Sequence, residues 1–164
     1  MAILPIRRAG DPVLREKARR VRTIDKSIHK LIEDMWETMY DAPGVGLAAP
    51  QVGVPLRVIV IEVPEHERIA LLNPEIVKRS GERTVDEGCL SVPGFRGEIT
   101  RSLKVVAKGM DPYTGKEVRV RAEDDLFAEA LEHEIDHVNG ILYIDYLPSA
   151  DALMPLGDAA EVRR

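Results

Sequence analysis

Between residues 124 and 139 the chain carries an apolar stripe at helical spacing, Leu126, Phe127, Ala130, Leu131, Ile135 and Val138, with Gly140 at the stop. The same segment holds His133 and His137, four residues and one helical turn apart, so both imidazoles lie on one face and can grip a single ion. Two histidines do not close such a site, because a catalytic zinc-type centre takes three protein ligands and keeps one place open for water. The fold is therefore constrained to bring a third donor to this helix from elsewhere in the sequence. Glu134, between the histidines, stands where a carboxylate can move protons for a water that the ion activates. The bland alternative is a helix with two idle, exposed histidines.

Few donors qualify as the third ligand. A histidine three residues after Gly140 would mark one group of metalloproteases, but that position is Tyr143. A downstream glutamate would mark another, and the candidate there is Glu161. Neither pattern fits. The remaining soft donor is Cys89, set in Glu87-Gly88-Cys89-Leu90-Ser91, where the glycine lets the backbone turn the thiol toward the helix. A lone cysteine is by itself more often an inert buried residue, and having no partner it forms no internal disulfide, which fits a reducing compartment. A third segment, Gly44-Val45-Gly46-Leu47-Ala48-Ala49-Pro50-Gln51, permits close approach of a ligand backbone at its glycines and offers the Gln51 side-chain amide. Alone it reads as a helix C-cap, and it lacks the Lys and Ser or Thr of a phosphate-binding loop.

Asp11 followed by Pro12 is an N-cap with proline at the first helical position, which predicts a short helix over residues 12 to 18. A longer helix is predicted over residues 25 to 42, where Ile28, Leu31, Ile32, Met35 and Met39 make one stripe and Pro43-Gly44 ends it. The β-branched run at 56 to 62 predicts a strand, and shorter extended segments follow at 69 to 72, 75 to 79, 83 to 87, 99 to 108 and 117 to 121. Asn73-Pro74, Ser80-Gly81, Pro93-Gly94 and residues 111 to 115 separate them. The class is α+β, a mostly antiparallel sheet packed around the late helix, with a long helix in the N-terminal half. At 164 residues one catalytic domain is expected, with the last fifteen or so residues, from about 150 on, a loose tail.

The net charge of −5 hides an asymmetry. Residues 1 to 30 carry nine Lys or Arg against three Asp or Glu, a balance of +6, which leaves −11 for the rest. A basic stripe can meet nucleic acid or a ribosome, but the favoured reading is a solvated face. No segment approaches membrane-spanning length and the N-terminus lacks a signal-peptide core, so a cytoplasmic protein is expected.

Residues 44 to 51, 87 to 91 and 133 to 137 resemble, in order and spacing, the three signature motifs of the peptide deformylases. The likeness extends to Asp11-Pro12-Val13-Leu14-Arg15, Gln51-Val52-Gly53-Val54-Pro55 and Asn139-Gly140. The resemblance implies an α+β enzyme that removes the formyl group from the N-terminal formyl-methionine of new proteins, releasing formate. It implies Cys89, His133 and His137 as metal ligands, Glu134 as the catalytic acid and base, and the Gln51 side chain and Leu90 backbone N–H as oxyanion donors. Gly44, Val45 and Gly46 would pair with the substrate backbone, and Val45, Leu126 and Ala130 would line an apolar pocket for the methionine side chain. Glu129 falls where many relatives carry an apolar pocket residue.

Glu87 is expected to orient a ligand histidine, as carboxylates beside metal-bound imidazoles do, and Asp136 to meet Arg101 in a structural pair. Arg96 is read equally as a substrate contact and as plain surface. Ligand chemistry alone would choose zinc, whereas the resemblance implies Fe2+, with Zn2+ as the fallback and Ni2+ or Co2+ as substitutes. The expected partners are formyl-methionyl peptides and nascent chains at the ribosome, with no membrane, no sequence-specific nucleic acid and a monomeric state. Two rival readings are a small metallopeptidase and a non-catalytic module that a metal staples together.

Overall fold

Asp11 accepts from the Val13 N–H as a cap should, yet the turn it starts, Pro12–Arg15, is a single 3-10 turn and does not run to residue 18. Tertiary hydrogen bonds draw the following segment out instead. The Ala18 N–H donates to the Val138 carbonyl and that of Arg19 to Pro55, both at 2.9 Å, while Val21 exchanges two hydrogen bonds with the Asn73 side chain at 2.8 and 3.0 Å. Residues 16 to 23 thus form an extended strap along the sheet. The structure, a computed structural model, describes residues 2 to 156.

Helix α1, Lys26–Asp41, starts where Asp25 accepts from the Ser27 and Ile28 N–H groups. It buries Ile28, Ile32, Met35 and Met39 as the stripe requires, with Trp36 joining them and Leu31 at the margin. Strands β1, Gly46–Ala48, and β2, Val58–Ile61, follow, then β3, Ile69–Ser80, β4, Arg83–Cys89, β5, Val92–Arg101, β6, Lys104–Met110, and β7, Glu117–Glu123. Helix α2, Leu126–Val138, is capped by Asp125, which accepts from the Ala128 N–H at 2.8 Å, and Gly140 beyond it takes a φ of 76°.

Three strand boundaries differ from the sequence expectation. Asn73-Pro74 does not separate two strands: β3 runs through it on a bulge, with Asn73 at φ 51° and its side chain committed to the strap. The segment 99 to 108 is not one strand but the end of β5 and the start of β6, and Pro93-Gly94 lies inside β5, because the β4–β5 reversal comes earlier, between Cys89 and Val92. The segment expected to be a loose tail is described only to residue 156. There β8, Met154–Pro155, pairs with Phe95 and Arg96 of β5, and residues 157 to 164 lie outside the described residues.

The strands form a five-stranded sheet in the order β1-β2-β3-β6-β7 and a three-stranded one in the order β4-β5-β8, all antiparallel. Period-two alternation explains why β2 is apolar throughout. Val58 and Val60 pack toward α1, Ile59 and Ile61 toward α2, so both faces of the larger sheet are covered. Helix α2 is consequently a core helix, buried from Phe127 to Val138 although six of its residues are acidic or imidazole side chains. Buried groups of that kind need partners. Among the described residues no helix is long and apolar enough to cross a membrane.

Candidate metal centre

Cys89, His133 and His137 offer ligand atoms that all lie within 4.8 Å of one another, and all three residues are buried. His137 Nε2 is 3.3 Å from Cys89 Sγ and 3.1 Å from His133 Nε2. A tetrahedral ion bonded at about 2.1 Å to nitrogen and 2.3 Å to sulfur holds its donors about 3.4 to 3.6 Å apart, close to both His137 separations, so this donor set can close around a cation. Two local structures meet here. Helix α2 supplies the imidazoles at one-turn spacing, and the tight β4–β5 reversal carries Cys89, with the Ser91 N–H donating back to its sulfur at 3.4 Å.

His133 is fixed from behind. Glu87 Oε1 lies 2.7 Å from His133 Nδ1, which turns Nε2 toward the other two donors. Glu87, wholly buried, is held in turn by Arg101, whose Nε and Nη2 each donate to it at 3.0 Å. Arg101 Nη1 donates to Asp136 at 2.7 Å, the Tyr146 hydroxyl donates to the same Asp136 oxygen at 2.8 Å, and the guanidinium stacks over the Tyr146 ring. Burial alone would lower the Arg101 pKa, but the carboxylates of Glu87 and Asp136 outweigh it and push the guanidinium up. Both the role of Glu87 and the Asp136–Arg101 pair were legible in the sequence. That Arg101 joins the two into one network, and that Tyr146 closes it, was not.

Burial pushes the Cys89 thiol up, and burial followed by the neighbouring His133 pushes His137 well below the usual imidazole range. Without a cation the pair is therefore a neutral thiol and a neutral imidazole near neutral pH, and metal uptake must expel the thiol proton. Affinity of the metal-free protein for Zn2+ is expected to strengthen with rising pH between about pH 6.5 and 8, as the thiol proton is released. Competition against a chelator across that range measures it, and a flat profile would contradict the protonated thiol.

Gln51 lies in the 3-10 turn Ala49–Val52, with its side-chain Oε1 accepting from the Ala48 N–H at 3.0 Å. That leaves Nε2 aimed at the centre, 3.2 Å from Ser91 Oγ and 3.6 Å from Cys89 Sγ. Leu90 follows the cysteine in the reversal, its side chain packed toward α1. Val45 and Ala130 share one apolar cluster with Leu126 at its margin, and Gly44 is tied to the end of α1 by its N–H to Met39. Glu129 points inward, 6% exposed, and Arg96 is engaged by Asp86. The N-terminal segment also reaches the centre, which no sequence signal announced. The Arg7 and Ala9 N–H groups donate to the Gln51 and Ser91 carbonyls at 2.7 and 2.8 Å, binding the two site turns together.

Gly46 has a role beyond backbone pairing. A Cβ built there would lie 2.5 Å from Glu134 Oε2 and 2.9 Å from its Cδ, so the buried carboxylate occupies the space that glycine leaves empty. Because the obstructed group is the end of a flexible side chain, Gly46→Ala is expected to fold and to bind metal while displacing Glu134. A misplacement of this size costs turnover on the order of a hundredfold. Steady-state kinetics beside metal analysis checks this, and unimpaired turnover would mean that the carboxylate position is not critical.

An α+β fold that buries a thiol, two imidazoles one turn apart and an intervening glutamate has the make-up of a metal-dependent hydrolase. The family profile described as polypeptide deformylase matches residues 3–152, and the chain belongs to that family. A peptide deformylase of Dehalococcoides mccartyi strain CBDB1 is 52% identical over 163 residues, covering 99% of this chain and 96% of the relative. One from Halothermothrix orenii is 56% identical over 146 residues, covering 88% and 94%. Among solved structures, a peptide deformylase from Legionella pneumophila superposes with a TM-score of 0.85 at 49% identity, covering 89% of this chain and 86% of that one. One from Synechococcus elongatus in complex with actinonin gives 0.86 at 38% identity, covering 93% and 82%.

Proposed function

We propose that the chain removes the N-formyl group from the formyl-methionyl N-terminus of newly made polypeptides, releasing formate. The observation that carries this reading is the clustering of the Cys89, His133 and His137 donors, with the Glu134 carboxylate near enough to act on the Cys89 thiol, in a chain of the deformylase family. Cys89, His133 and His137 would hold the ion. When bound, it would supply Lewis acidity and lower the pKa of water at its open position. Glu134 accepts the proton of the attacking water and later delivers it to the departing amine nitrogen, so that amide and water become amine and formate. Negative charge developing on the formyl oxygen is met by the Gln51 side-chain N–H and the Leu90 backbone N–H.

Strand edges among the described residues support a peptide substrate, since β1 is terminal in the larger sheet and β4 in the smaller. An extended chain adding at Gly44, Val45 and Gly46 would set its methionine side chain toward Val45, Leu126 and Ala130. The metal is assigned as Fe2+ on the family resemblance, with Zn2+ as the alternative that a Cys–His–His set also accepts. We further assign a single catalytic domain, a monomer, and cytoplasmic action on nascent chains at the ribosome. Anaerobically prepared protein is expected to release formate from formyl-Met-Ala-Ser. Release of free methionine instead would favour a metallopeptidase, and metal analysis of the same sample identifies the ion.

A further inference from the structure

The N-terminal strap crosses the back of α2 and leaves an open cleft of about 430 Å³, lined by Lys17, Arg20, Arg57, Glu75, Arg79 and Asn139 among others. Its α2 lining, Ile135 and Asn139, comes two residues after His133 and His137. At 3.6 residues per turn that is roughly 200° around the helix from the metal donors. A ligand in this cleft therefore leaves β1 and β4 open to substrate.

Four cations meet one carboxylate there. Glu75 is engaged by Lys108 at 3.3 Å, and Arg79 is shared with Glu132 at 3.1 Å. Arg57 forms the floor, 9% exposed, with Nη1 donating to the Val138 carbonyl and Nη2 to Asn139 Oδ1, each at 3.0 Å, and Nη2 also to the Pro74 carbonyl at 3.4 Å. The Val138 and Asn139 oxygens at the helix C-terminus orient the guanidinium and offset part of its charge. Among the described residues no carboxylate pairs with it, and none pairs with Lys17 or Arg20. Burial, and then the nearby charge of Arg20, hold Arg57 below the usual guanidinium range, with Glu75 offsetting them only in part. A half-enclosed guanidinium pressed by a second, unneutralised one is relieved by an anion.

Guanidinium and ammonium groups lining one cleft favour an acceptor with several oxygens and more than one negative charge, which a phosphate supplies and a single carboxylate does not. We infer that this cleft is a phosphate-binding site behind the catalytic helix, its ligand either free phosphate or a phosphate of an RNA backbone. The basic N-terminal stretch is then a binding face and not only a solvated one.

Calorimetric titration of the metal-loaded protein with sodium phosphate, and separately with a short unstructured RNA, tests the assignment at one ionic strength held with sodium chloride. Saturable binding is expected, weakened about tenfold or more in the double variant Lys17→Ala, Arg20→Ala. Both side chains are exposed and remote from the metal donors, so the variant keeps its melting temperature and its formate release. Much tighter binding of RNA than of phosphate identifies the backbone as the source, and comparable affinities identify the free anion. Absence of saturable binding by either probe overturns the inference. So does binding that survives the double substitution, because the anion would then sit elsewhere, the metal centre included.

Discussion

Glu134→Gln is expected to lower kcat/KM for a formyl-methionyl peptide by about a thousandfold while leaving the metal content and the melting temperature at their original values. The side chain is fully buried, and its carboxylate lies over the Cα of Gly46, near enough to Cys89 to act on its thiol. Glutamine has the same shape, so it fills the same space and leaves the packing intact. What it loses is the capacity to accept a proton and pass it on, a capacity worth roughly a hundred- to ten-thousandfold in enzymes that rely on it. The donor set is unchanged, since Cys89, His133 and His137 supply the ligand atoms. Formate release beside metal analysis of one sample reads both quantities. Full activity in this variant would remove Glu134 from the chemistry. Loss of metal together with activity would make it a ligand instead, and the mechanism would have to be rebuilt. The outcome also separates an enzyme from a metal-stapled binding module, in which Glu134 has no task.

The donor triad was legible because helical periodicity is local. His133 and His137 are four residues apart, and the stripe from Leu126 to Val138 declares a buried helix without knowledge of anything else. The N-caps at Asp25 and Asp125 are local as well, and both helices begin within a residue or two of their expected starts. What escaped detection depends on parts distant in the chain. The helix expected to reach residue 18 is short because Val138, Pro55 and Asn73, far along the sequence, offer the strap better hydrogen bonds than its own next turn. Strand β3 passes through Asn73-Pro74 for the same reason, since Asn73 takes a left-handed conformation to reach Val21. Gly46 looked like a substrate contact, and its space-making for a side chain 88 positions later has no sequence signature. Arg101 was visible only as a partner of Asp136. Its stronger tie, to Glu87 and through it to His133, pairs residues on three different elements.

That tie makes Arg101→Ala the variant with the largest expected effect on stability. Arg101 is 4% exposed and neutralises two carboxylates, Glu87 and Asp136, themselves 0% and 5% exposed. Removing the cation leaves both buried without their counter-charge, a loss of about 3 to 5 kcal/mol. For a chain of this length that is a fall in Tm of roughly 10 °C. The measurement belongs on chelator-treated protein, because bound metal stabilises whichever fold binds it and would mask part of the difference. A second effect reaches the centre itself. Once Glu87 is no longer held by the fork of Nε and Nη2, it ceases to fix the His133 ring, and metal affinity is expected to fall about ten- to a hundredfold. Arg101→Lys distinguishes charge from geometry. An ammonium restores one positive charge and recovers part of the stability, but it cannot bond Glu87 twice and Asp136 once from a single plane, so the metal affinity stays low. Recovery of affinity by lysine would show that charge alone orients His133. An alanine variant with unchanged Tm and unchanged affinity would show that the network behind the histidine is dispensable.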